Sequence, residues 1–70
     1  LFRSNNSAMD GYGIKLSDIN SKVKVIDTIL AGSSKETDIQ SKQAIKIMTG
    51  ARVPSSVEAI VPYELVQELD

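Results

Sequence analysis

The chain has no cysteine, no histidine and no tryptophan, and its only aromatics are Phe2, Tyr12 and Tyr63. Without cysteine there is no disulfide scaffold and no thiol nucleophile. Without histidine there is also no zinc finger and no Ser-His-Asp triad. Three scattered rings do not make a base-stacking platform and are expected as partial core residues. Formal net charge is −1, so neither nucleic acid nor an anionic membrane is an expected partner. No apolar run approaches the roughly 18 residues that span a bilayer, and no basic stretch leads into an apolar one as in a leader peptide. The absence of cysteine is compatible with a reducing compartment, and the expected location is cytoplasmic. What remains is a soluble, globular composition: 41% hydrophobic residues with mixed charge, in a length that allows one small domain over residues 1–70. Such a domain hides only about 60% of its unfolded surface. The first residue is Leu1 rather than Met, which reads as a piece excised from a larger multidomain protein.

Residues 1–13 are polar and turn-rich, with Asn5, Asn6, Ser7, Asp10, Gly11 and Gly13; these side chains bond nearby backbone or tolerate positive φ. Residues 23–31 admit two readings. Ile19, Val23, Ile26 and Leu30 have helical spacing with Ser17 as a cap. Val23, Val25, Ile26, Thr28 and Ile29 are β-branched and favour a strand. A polar connection over 32–38 then bends the chain back. Ala44 to Met48 is expected as a short strand with Ile45 and Ile47 on one face and Lys46 on the other. Pro54 bars a central strand locally, Ser55-Ser56 makes a turn, and Ala59 to Val61 is the next apolar run. Tyr63 to Leu69 is expected as a last strand at the domain edge. Punctuation every ten residues or so predicts a mostly β domain of short twisted strands and tight turns.

Two clusters carry chemistry. The stretch Asn5-Asn6-Ser7-Ala8-Met9-Asp10-Gly11-Tyr12-Gly13 offers amides, a hydroxyl and one carboxylate on a flexible backbone. A carboxylate on a turn can hold a hard cation such as Mg²⁺, and small neighbours let backbone N–H groups approach an oxyanion. Asp10-Gly11 taken alone is equally a tight turn. Ile47-Met48-Thr49-Gly50-Ala51 places a hydroxyl at a strand end, suited to an anionic oxygen or to bonding its own backbone. Arg52 beside Thr49 is an anion contact or solvated surface. Lys46, next to Ile47-Met48, loosely resembles a biotin-carrier lysine, but such a lysine belongs at a hairpin tip and this one lies in an alternating strand.

Together the clusters resemble the molybdopterin molybdenumtransferases, the MoeA and gephyrin E-domain family. Residues 5–13 resemble that family's Asp-Asn-Ser-Ala-Met-Asp-Gly-Tyr-Ala signature. Ile45-Lys46-Ile47-Met48-Thr49-Gly50-Ala51-Arg52-Val53-Pro54 resembles its Ile-Arg-Ile-Met-Thr-Gly-Ala-Pro-Val-Pro signature. Glu58-Ala59-Ile60-Val61 with Glu64 resembles the family's continuation, Asp-Ala-Val-Val and a later Glu. The resemblance implies the second, mostly β domain of an elongated homodimer. It implies an active site between this domain and the pterin-binding domain of the other subunit, so that this fragment supplies half a site and is inactive alone. The implied reaction inserts molybdate into adenylylated molybdopterin and releases AMP with help from Mg²⁺. Asp10 and Thr49 match the family's functional residues, Asp10 for metal coordination or for orienting the attacking group, Thr49 as a hydrogen-bond donor to an anionic oxygen; Asn6, Ser7 and Gly50 are the substrate-binding candidates; Met9 and Met48 are expected in the core. Four positions depart from the pattern: Asn5 for Asp, Gly13 for Ala, Arg52 for Pro, and Ser56 for a turn glycine. The alternative is a non-catalytic interaction or scaffolding module on the same fold.

Overall fold

The computed structural model describes residues 6–33 and 35–69. Five strands form it: β1 (Gly11–Ile14), β2 (Lys22–Ile29), β3 (Gln43–Ile47), β4 (Ala59–Val61) and β5 (Gln67–Glu68). They lie in the order β4-β1-β3-β2-β5. β1 runs antiparallel to both β3 and β4, while β2 runs parallel to β3 and to β5. Short 3₁₀ turns lie at Leu16–Asp18, between β1 and β2, and at Tyr63–Leu65, between β4 and β5. The mostly β expectation holds, and within residues 23–31 the β-branched run up to Ile29 is a strand, not a helix, while residues 30 and 31 lie beyond its end. Among the described residues no helix is long and apolar enough to cross a membrane.

Both faces of the sheet are covered. On one face Ile29, Ile45, Ile47 and Ile60 pack with Ile39, Ala51, Val53 and Val57 from the loops. On the other, Tyr12, Ile14, Val23, Ala44, Ala59, Val61 and Val66 form a second core. Period-two alternation along β3 feeds both, since Ala44 points one way and Ile45 and Ile47 the other. β2 does the same by a bulge: Val25 pairs with Ala44 and Asp27 with Ile45, leaving Ile26 as the extra residue. The bulge exchanges the faces of the odd-numbered positions. Val23 therefore enters one core and Ile29 the other.

Two expectations are corrected. The turn-rich reading of residues 1–13 ends too late, because Gly11–Ile14 is a fully buried strand inside the sheet; residues 1–5 of that segment lie outside the described residues. Tyr63 to Leu69 is not one strand but a 3₁₀ turn followed by the two-residue β5.

Among its described residues the β2–β3 crossover has no helix and is tied down by side chains instead. Asp27 accepts hydrogen bonds from Lys35 Nζ at 3.0 Å, Thr37 Oγ1 at 2.6 Å and Thr28 N–H at 2.8 Å. These hold its carboxyl down at about 2, Thr37 contributing most. Ser56, one of the departures, accepts the Ile39 N–H at 3.1 Å and donates to Thr37 O at 3.0 Å. A glycine there could make neither bond. Asp18 is fully buried and its Oδ2 accepts the Lys42 N–H at 2.7 Å, fixing a residue with φ of 68°. Asp18→Ala removes that acceptor and is expected to lower stability by about 2 kcal/mol. A urea unfolding midpoint equal to that of the unchanged chain would count against this role.

Candidate functional site

The two polar clusters, far apart in sequence, are sewn together edge to edge. Ser7 N–H donates to Ala51 O at 2.8 Å, and Gly50 N–H returns the bond to Ser7 O at 2.8 Å. Asn6 pairs with Arg52 in an antiparallel bridge, and Asn6 Nδ2 donates to Gly50 O at 3.1 Å. Gly50 has φ of 86°, a left-handed conformation that side chains disfavour. It lets the chain turn after Thr49 and present its N–H to Ser7.

This turn delivers Thr49 to Asp10. Thr49 N–H and Oγ1–H both donate to Asp10 Oδ1, at 2.7 and 2.8 Å. Both residues are exposed. The backbone bond, then the side-chain bond, favour the charged form and hold the Asp10 carboxyl below its ordinary 3.8. Oδ2 takes no hydrogen bond among the described residues. The structure thus brings Asn6, Asp10, Thr49 and Gly50 into one exposed edge. Ser7 lies there too, but buried, with its hydroxyl donating to Met9 O and accepting the Met9 N–H. Its hydroxyl shapes the loop and faces away from solvent. Met9 packs against the first core, as expected.

Among the described residues no group of three acidic, histidine or cysteine side chains could hold a metal. A hard cation that keeps its waters and takes oxygens from a bound phosphate needs only one or two carboxylates. The ionised, exposed Asp10 fits such a cation. It does not fit one caged by protein.

The family model for the MoeA N-terminal region, domains I and II, matches residues 3–70. The chain belongs to this family. A molybdopterin molybdenumtransferase of Staphylococcus epidermidis is 42% identical over 69 residues, covering 89% of this chain and 16% of that protein. That of Haemophilus influenzae is 40% identical over 63 residues, covering 87% and 16%. The crystal structure of the molybdopterin biosynthesis MoeA protein from Pyrococcus horikosii superposes with a TM-score of 0.77 at 25% identity, over 93% of this chain and 18% of that one. The chain therefore spans about a sixth of the length of these relatives.

Beside the MoeA signature segments stand residues that motif reading passed over. Tyr12, two positions beyond Asp10, packs its ring on Tyr63 at 4.8 Å and donates to Glu68 Oε2 at 2.6 Å. Burial first, then that carboxylate, push its phenol up to about 12. Lys46 Nζ lies 4.0 Å from the same oxygen. Burial, and then the Asp10 charge, raise the Tyr63 phenol as well. The only sequence signal for this grouping is period two, which puts residues 10 and 12 on one face. Lys46 sits within β3, half-buried, which removes the carrier-lysine reading. A shallow cleft of about 210 Å³ lined by Asn20, Glu64, Leu65, Val66 and Gln67 contains none of the candidate residues.

Proposed function

We propose that this chain is the part of a molybdopterin molybdenumtransferase that contributes Asp10 and Thr49 to an active site shared between subunits of a homodimer. One observation carries the reading: where the two signature segments meet, the Asp10 carboxylate is held by the Thr49 N–H and hydroxyl. The parent enzyme inserts molybdate into adenylylated molybdopterin in the cytoplasm and releases AMP, and its pterin-binding domain supplies the other half of the site. The substrates are anions, so the site must supply hydrogen-bond donors and neutralise charge. Asn6 offers its amide from the exposed edge. Thr49 fixes Asp10 in position and in its ionised form. Gly50 and Ser7 keep the two segments in register. Asp10, through Oδ2, would hold Mg²⁺; when bound, the cation shares the negative charge of the phosphates and of molybdate.

The test uses the full-length protein with adenylylated molybdopterin and molybdate. AMP release that requires molybdate and yields the molybdenum cofactor is the expected result. Its absence in a folded, dimeric preparation defeats the reading and favours a scaffolding role.

A further inference from the structure

Segments 6–10 and 49–52 contain two charged residues, Asp10 and Arg52. Asp10 already has both Thr49 bonds on one oxygen. Arg52 is different. It is exposed, and no carboxylate lies within ion-pair distance of it among the described residues. The bridge between Asn6 and Arg52 makes them directly opposed partners. In an antiparallel pair such side chains leave the same face with Cβ atoms roughly 5 Å apart. Their flanking partners Ser7 and Ala51 point inward and are buried. The Arg52 backbone is anchored too, its N–H donating to Ser33 O at 3.4 Å. Arg52 thus sits opposite Asn6, on the edge that carries Thr49 and Asp10.

An anion brought next to Asp10 meets a like charge. A nearby cation not already paired with a carboxylate offsets that repulsion, and a guanidinium matches the oxygens of a tetrahedral anion bidentately. We propose that Arg52, with the Asn6 amide, forms an anion-receiving corner of this site that takes one tetrahedral oxyanion group, either free molybdate or the phosphate of a nucleotide. The inference deepens the transferase reading and rests on it for the identity of the anion, but not for the binding itself.

The experiment titrates the full-length protein, its Arg52→Gln variant and its Arg52→Lys variant with sodium molybdate alone and with AMP alone, at low and raised ionic strength. Arg52→Gln is expected to weaken one of the two about tenfold and to flatten its salt dependence. Arg52→Lys keeps the charge and recovers part of the loss. The anion that weakens identifies the source: molybdate if free oxyanion binds here, AMP if the phosphate does. Equal affinity and equal salt dependence for Arg52→Gln and the unchanged protein, with both anions, overturn the inference. If the unchanged protein inserts no molybdenum yet anion binding still depends on Arg52, the transferase reading fails and this one stands.

Discussion

Asp10→Asn in the full-length protein is expected to lower molybdenum insertion about a hundredfold, the cost typical of removing one preorganised electrostatic group, while leaving the fold intact. The substitution separates charge from shape. An asparagine carbonyl still accepts the Thr49 N–H and hydroxyl that now reach Oδ1 at 2.7 and 2.8 Å, so the two signature segments stay joined. What disappears is the negative charge and the second anionic oxygen. The pH dependence obeys the same logic. Thr49 holds the folded-state Asp10 pKa below 3.8, so its contribution to stability is full above the unfolded value and fades as pH falls through the folded one. At neutral pH the carboxylate is ionised, and its own titration should leave insertion flat there. Insertion by Asp10→Asn at the unchanged rate, with the dimer preserved, would reduce Asp10-Gly11 to a structural turn and shift the chemistry to Thr49 or away from this edge. A loss of insertion accompanied by a loss of dimer would instead assign Asp10 to assembly.

The parts of the fold that showed in the sequence were those where one local signal dominates. β-branched density marked β2, alternation marked β3, and a short apolar run before Pro62 marked β4. The Ile26 bulge left no trace, because odd-numbered residues face inward on both sides of it and only the pairing partners reveal which core they enter. β1 was hidden for a different reason. Gly11 and Gly13 looked like turn residues, yet both lie in the packed sheet, where a Cβ at Gly11 would overlap the Val61 carbonyl oxygen and one at Gly13 would crowd the Ile47 and Val57 methyls. The candidate site was legible only through family resemblance. Asp10 and Thr49 are 39 positions apart, and spacing says nothing about a contact made by folding. Arg52 and Ser56 were visible as departures, but their partners Asn6, Ile39 and Thr37 come from the tertiary structure.

The crowding around β1 sets the largest expected effect on stability. A Cβ at Gly11 would overlap the Val61 carbonyl oxygen and lie 3.2 Å from both Val61 C and Ile60 Cγ2. The obstacle is backbone, held by the β1–β4 pairing of Tyr12 with Val61 and Gly13 with Ile60, so it cannot rotate aside. Either β4 moves off β1 or the strand start buckles, and both loosen the second core, which needs Ala59 and Val61. Gly11→Ala is therefore expected to cost about 3 kcal/mol, the upper part of the range for overpacking. In a domain this small that is a drop in Tm of about 12–24 °C. Gly13→Ala is the control. Its Cβ would meet Ile47 Cδ1 at 2.7 Å and Val57 Cγ2 at 3.0 Å, both side-chain methyls; the isoleucine end can change rotamer, so the expected cost is about 1 kcal/mol. Thermal unfolding of the two variants beside the unchanged chain decides the matter. A Gly11→Ala midpoint no lower than that of Gly13→Ala would mean that β4 yields freely, and that the glycine after Asp10 answers to the Asp10 turn rather than to the packing of β4 on β1.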